Sequence, residues 1–386
     1  MTTHVVCLDG TGQVRTQPNP TNIALIFDAM GGEPAPAGSG SFESSLKVNG
    51  REAQVGKYLP GVGTQGPELL DRLEQSVGAG IAEQIVRGYT FLSRRYAAGD
   101  EIVIVGFSRG AAAARCLAGF VVVQGLLDSN NYDPEDKDNA YLRAAAAWYL
   151  YRSADPRLAR ESTLLGISDA LGQELPALGA NDFVEVERIQ AVAVFDTVSS
   201  LGVPRLEPDG WIGYDFTLAD TRLNPKVLNG FHALSADEAR ANFFPTFWTP
   251  RANITQVIFP GNHSDVGGGY AETGLSDRAL EWMLSKLASQ GLRFDRTKIR
   301  PLAPDANGVG HDDGREWPWN LLPRAPRIFP ADAIGGEQAF LIDQSIRERW
   351  GQAVRLIPGE TTNPYASVGL YFGPKPLYVA SATAPD

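Results

Sequence analysis

Short, continuously apolar runs alternate along this chain with longer segments of helical spacing. Residues 5–8 (VVCL) are the first run, closed by Asp9-Gly10-Thr11-Gly12, and predict a buried strand ending in a tight turn. A helix is expected over 22–30. Residues 31–45 (GGEPAPAGSGSFESS) are small, polar and rich in proline and glycine, which predicts a loop or disordered segment. A second strand is expected over 54–59, ending at Pro60-Gly61-Val62-Gly63. Ile81, Ile85, Leu92 and Tyr96 then fall on one helical face, and Gly99 closes that segment. Residues 101–105 (EIVIV) are a short β-branched run suited to a strand covered on both faces. The alanine-rich residues 109–119 predict the helix behind it.

Residues 128–188 turn polar, with a helical centre over 141–151, and read as an insertion above the sheet. Strands are expected again over 189–195 (IQAVAVF) and 254–259, with a helical segment over 236–241 between them and a helix over 277–289 after them. Beyond that the chain is loop-rich, with Trp317, Trp319 and many prolines. No internal repeat is present. Strand–helix–strand alternation predicts an α/β fold: a mostly parallel sheet with crossover helices on both faces. The expected organisation is one domain over 1–300, carrying the helical insertion, and a loop-rich extension over 301–386 packed on it.

Chemistry enters at Gly106-Phe107-Ser108-Arg109-Gly110, which fits G-x-S-x-G, the nucleophile elbow of α/β-hydrolases. The spacing has a physical cause. A serine on a sharp strand-to-helix turn needs small neighbours two positions away, and the helix start that follows favours developing negative charge. A bare match is weak, but here a buried-strand pattern precedes it and an alanine-rich helix follows.

A serine needs a base, and the chain has four histidines. His4 precedes the first strand and His311 lies in an acidic, loop-rich tract, so both are expected as exposed bystanders. His232 begins the helical-looking HALSADEAR and is expected to cap or pack. His263 follows a buried strand and opens a glycine-rich stretch, on the rim where open α/β sheets hold their sites, and is the candidate base. Asp196, at the end of 189–195, is the candidate acid and gives the order Ser…Asp…His. Asp265 is its rival, two residues past His263, where the two side chains should diverge. It is assigned with Asp9 to a supporting shell. The tetrahedral intermediate needs N–H donors, expected from the Arg109 backbone and from the Gly10-Thr11 loop.

Composition narrows the partners. A net charge of -11 over 386 residues argues against nucleic acid, which requires clustered lysine and arginine. Cys7 and Cys116 lie in apolar stretches and are expected as buried free thiols, with no zinc-ligand spacing and no metal site. No basic, apolar Sec-type leader is visible at MTTHVVCLDG, and no segment looks able to span a bilayer, so a cytoplasmic location as synthesised is expected.

Together, LDGTGQ, YLPGVGT, GDEIVIVGFSRGAAAAR, VAVFDTVSSLG, FHALSADEAR and PGNHSDVGGGY resemble a family of α/β-hydrolase domains that includes type VI secretion phospholipase effectors. The pieces span roughly residues 4 to 275 in the family's order. Gln13 departs from an asparagine common at that position. The resemblance implies Ser108 as nucleophile with Asp196 and His263 as partners, and favours glycerophospholipid esters. It also implies export by a specialised secretion system, with a secretion or immunity partner. The residues themselves imply a serine hydrolase of carboxylic esters needing no cofactor. A non-catalytic nucleotide- or phosphate-binding protein, with DGTG and VGGGY as cradles, and an esterase for small or polymeric esters stay open as alternatives.

Overall fold

The structure, a computed structural model, describes residues 1–62, 69–154, 174–198, 205–206, 212–213, 222–317, 319–321, 323–325, 327, 329, 340–359, 363–367, 370–372 and 375–376. Its centre is a nine-stranded sheet. In chain order the strands are β1 (Thr3–Leu8), β2 (Ala35–Pro36), β3 (Phe42–Val48), β4 (Arg51–Leu59), β5 (Glu101–Phe107), β6 (Ala191–Phe195), β7 (Gly230–Ser235), β8 (Ile254–Phe259) and β9 (Leu341–Ile342). Across the sheet they run β9-β8-β7-β6-β5-β1-β4-β3-β2. All pairs from β9 to β4 are parallel, and only the β3 and β2 edge is antiparallel. The chain therefore has the α/β architecture its alternating pattern predicts.

Strand residues alternate between two cores, as a period of two demands. Val6, Leu8, Ile102, Ile104, Val192 and Val194 face one cluster, covered by α2 (Leu69–Arg95), α3 (Arg109–Gln124) and α4 (Lys137–Ala154). Val5, Cys7, Val103, Val105, Ala193 and Phe195 face the other, covered by α1 (Asn22–Ala29) and α6 (Gly274–Ser289). Between β8 and α6 lies the short α5 (His263–Gly267), and α7 (Gln344–Arg349) follows β9. Cys7 and Cys116 are free and buried. Of the insertion expected over 128–188, α4 supplies the helical centre, whereas residues 155–173 lie outside the described residues.

Several expectations are corrected. Residues 31–45 are not all loop: β2 and the start of β3 lie there, and β3 pairs back on β4. Asn49 (φ 52°) and Gly50 (φ 76°) turn that hairpin with the left-handed backbone that two-residue turns favour. Flanked on one side only by the two-residue β2, and with its side chains largely half-exposed, β3 has little need of apolar residues. His4 is not exposed: it is buried and bonded through Nε2 to Asp100 at 2.9 Å.

HALSADEAR does not begin a helix either. Its first four residues end β7, every residue of which is buried between β6 and β8, and the described helical turn comes only at Ala241–Phe243. Pairing on both edges overrides the modest strand propensity of GFHALS. His232 is thus a core histidine. Its Nε2 accepts the Thr197 N–H at 3.2 Å and its Nδ1 meets Gln256 Oε1 at 3.3 Å. Burial first, and then the Arg115 charge, push it down from 6.5 to about 3. Protonation of His232 therefore favours the unfolded chain. The stability this group provides is full above about pH 6.5 and is lost as pH falls towards 3. The urea midpoint of the protein is expected to drop between about pH 7 and about pH 4 more steeply than that of His232→Gln. Equal slopes would place the acid sensitivity elsewhere.

Described residues after 300 complete one sheet edge through β9. There Phe329, Phe340, Ile342, Ile346 and Leu370 pack with Leu234 and Ile258.

Candidate active site

Register brings the candidate residues to one sheet edge. Phe107 of β5 pairs laterally with Phe195 of β6, so Ser108 and Asp196 each leave their strand at the same level, on neighbouring strands. The Ser108 N–H donates to the Phe195 carbonyl at 3.0 Å, and the Asp196 N–H donates to the Ala233 carbonyl at 2.7 Å. Both have left-handed φ, 59° at Ser108 and 43° at Asp196. For non-glycine residues this is strained backbone, of order 1–3 kcal/mol each where not relieved by local bonds.

The glycines around the turn are required by close approach. A Cβ on Gly106 would stand 2.4 Å from the Gly110 carbonyl oxygen, and one on Gly110 would stand 2.3 Å from the Leu8 carbonyl oxygen. The loop after β1 lies against the turn, since a Cβ on Gly10 would be 3.2 Å from the Ser108 Cβ. On another side a Cβ on Gly267 would come within 2.0 Å of the Phe107 ring. Helix α5 is pressed onto the residue preceding Ser108.

That helix begins at His263. Asn262 caps it, its Oδ1 accepting from the N–H groups of Ser264 and Asp265 at 3.0 Å each. The His263 ring lies 4.6 Å from the Phe107 ring and meets Phe243 edge-on at 5.0 Å. Its Nδ1 is 2.5 Å from Asp196 Oδ2. With Asp196 ionised, Nδ1 must carry the proton, which leaves Nε2 as the lone-pair nitrogen of the neutral ring. Asp265, the rival acid, points away. Its Oδ2 accepts the N–H groups of Asn262 and His311 at 2.9 Å each, and its Oδ1 meets His311 Nδ1 at 2.7 Å. His311, expected exposed, is instead buried and stacked on Tyr270 with ring centroids 3.7 Å apart. Burial opposes its charge, but the bond and charge of Asp265, with Glu272 and Asp313, outweigh it and raise its affinity for a proton.

Asp196 has a partner that no local sequence signal marks. Arg327 donates from both terminal nitrogens, Nη1 to Oδ1 at 2.5 Å and Nη2 to Oδ2 at 2.8 Å. The Ser235 N–H adds a bond to Oδ1 at 2.9 Å. Burial alone would push the Asp196 carboxyl up. The Arg327 guanidinium and the His263 bond overcome that and hold it far below the usual carboxylate range.

In the loop after β1, the Gly10 N–H is already donated to the Asp9 carboxylate at 2.8 Å. The same carboxylate accepts from Thr21 Oγ1 at 2.7 Å and Tyr58 OH at 2.6 Å, and burial nevertheless pushes it up to about 6. Of the two expected loop donors, Thr11 is thus the one whose N–H carries no such bond among the described residues, and its Oγ1 is buried without a partner. The Arg109 N–H lies in the first turn of α3, where helix N–H groups have no intrahelical acceptor. Among the described residues no group of three His, Cys, Asp or Glu side chains is placed to hold a metal ion, and no helix is long and apolar enough to cross a membrane.

The fold and its sharp turn after β5 define the class, an α/β protein of the hydrolase type. Residues 2–286 match the family model described as "T6SS, Phospholipase effector Tle1-like, catalytic domain", and the chain belongs to that family. An uncharacterized protein of Saccharomyces cerevisiae is 27% identical over 269 residues, covering 66% of this chain and 34% of that protein. A crystal structure of an uncharacterized protein from Pseudomonas aeruginosa aligns with TM-score 0.44 at 16% identity, over 79% of this chain and 49% of that one. The structure of the Tle1 effector bound to the VgrG spike from the type 6 secretion system aligns with TM-score 0.38 at 21% identity, over 71% and 52%. This chain therefore spans about a third of the length of the yeast relative and about half of each solved chain.

Proposed function

We propose that this chain is a serine hydrolase that cleaves acyl esters of glycerophospholipids and acts as an exported effector of a type VI secretion system. The observation that carries the reading is the His263 ring. It is bonded to Asp196 at 2.5 Å and packed 4.6 Å from the ring of Phe107, the residue before the strained Ser108. In this mechanism His263 Nε2 takes the Ser108 proton as Oγ attacks the ester carbonyl. Asp196 holds the ring tautomer and stabilises the imidazolium. Backbone N–H groups of Arg109 and Thr11 receive the oxyanion, each worth about 3 kcal/mol of barrier lowering. The imidazolium then protonates the leaving alcohol, and water resolves the acyl-enzyme by the same route. Every step balances with ester and water alone.

Lipid is favoured over a water-soluble ester by the family and by the surroundings of His263. Phe243 packs on its ring and the part-exposed Trp319 packs on Phe243 at 5.7 Å; close to these two in the chain, Phe244 and Trp317 are 56% and 75% exposed. An apolar rim suits acyl chains. The Arg109 guanidinium has no carboxylate partner among the described residues, and burial followed by the charge of Arg240 pushes it down to about 10. Such a cation suits an anionic headgroup.

Vesicles of phosphatidylethanolamine and phosphatidylglycerol are expected to release free fatty acid with the wild-type chain, and p-nitrophenyl esters to be cleaved faster as their acyl chain lengthens. Cleavage of p-nitrophenyl butyrate with intact vesicles would remove the lipid part. No cleavage of either, with no fluorophosphonate labelling, would remove the hydrolase.

A further inference from the structure

We infer that Arg327 is a positioning residue that clamps the Asp196 carboxylate and sets the pH at which His263 serves as base. The inference rests on the serine-hydrolase reading above and extends it to a residue 131 positions along the chain from Asp196. Arg327 is 2% exposed. Its planar fork spans both carboxylate oxygens, and the remaining hydrogens of the same nitrogens go to the carbonyls of Ser235 at 2.9 Å and Phe243 at 2.7 Å. One side chain thus ties the ends of β6 and β7 to the loop whose Phe243 ring walls His263. A guanidinium has the rigid geometry for this, and a lysine does not.

The clamp has an electrostatic consequence. A carboxylate beside an imidazole favours the imidazolium, so an unneutralised, buried Asp196 would keep His263 protonated to higher pH. Arg327 cancels that field from the far side of the carboxylate, at short range and with little water to screen it. The other groups facing the dyad do not replace it. Glu238 accepts the His263 N–H at 3.3 Å, but its charge is met by Arg240 at 2.7 Å, which also reaches Asp313 at 3.3 Å. His232, whose proton affinity is lowered by burial and then by Arg115, with Arg327 contributing, brings no charge of its own. Arg327 is the cation in direct contact with Asp196 among the described residues.

The acid limb of kcat/KM reports the base of the free enzyme. With p-nitrophenyl butyrate, the full-length Arg327→Met variant is expected to show that limb displaced upward by about one pH unit, together with a lower plateau. Arg327→Lys keeps the charge and loses the fork, so its limb should coincide with the wild type while its plateau falls. A purely structural role for Arg327 would lower the plateau of both variants and move neither limb, and that result overturns the proposal. If Arg327→Met does not fold, a displaced limb in Arg327→Lys overturns it equally, since charge would then not be the controlling quantity. A Ser108→Ala control that keeps the activity would instead take down the hydrolase reading, and this proposal with it.

Discussion

Ester hydrolysis by the Ser108→Ala variant is expected to fall about a million-fold in kcat, the loss typical of removing a serine nucleophile that acts as a unit with its base. Fluorophosphonate labelling should vanish with it. The fold should persist, because the Ser108 side chain makes no cap bond to α3 and the turn is held by the backbone. The Ser108 N–H donates to Phe195, and the Ser108 carbonyl accepts the Ala111 N–H at 3.1 Å. The left-handed φ of 59° adds a second readout. Alanine keeps a Cβ and therefore keeps the strain, whereas Ser108→Gly releases it. The glycine variant, equally inactive, is expected to unfold at higher urea than the alanine variant, with a difference on the order of 1 kcal/mol. A Ser108→Ala protein that still cleaves esters would move the nucleophile elsewhere. An alanine variant as stable as the glycine one would mean that the turn carries no strain to release.

That turn was legible because its requirements are local. Gly106 and Gly110 are dictated by backbone within a few residues of Ser108 and by the end of β1, and a β-branched run before an alanine-rich helix marks the strand and the crossover. The two short buried strands that carry Ser108 and Asp196 are also written in the pattern, whereas their side-by-side parallel register, which sets the two residues level, comes from the sheet as folded. The supporting contacts are different in kind. Arg327 reaches Asp196 across 131 positions from a proline-rich tract, and no periodicity announces a long-range ion pair. His4 and His311 read as exposed because an isolated polar residue usually is. Each is buried because a distant carboxylate, Asp100 or Asp265, meets its ring. The hairpin β3–β4 had one local signal, Asn49-Gly50, set beside a strand too polar to stand out.

The two carboxylates near His263 separate cleanly under substitution. In Asp196→Asn, a neutral amide replaces the acceptor of the His263 proton, and an amide nitrogen placed opposite Nδ1 selects the wrong ring tautomer. The rate of p-nitrophenyl butyrate cleavage is expected to fall about 10⁴-fold. The same change leaves the Arg327 guanidinium buried without its counter-charge, so stability should drop by about 3–5 kcal/mol. Asp265→Asn touches neither Ser108 nor the His263 ring. It weakens the bond to His311 and the capping bond to the Asn262 N–H, which together fix the start of α5 against the segment carrying His311. An asparagine oxygen can still accept from one of these groups. Its rate is therefore expected to fall less than about 100-fold, with a stability loss of about 1–3 kcal/mol. Parallel kcat/KM and urea measurements on the two variants decide the matter. If Asp265→Asn proves the more damaging to rate while Asp196→Asn remains active, the acid that orients His263 is Asp265, and the bidentate Arg327 pair is a structural clasp.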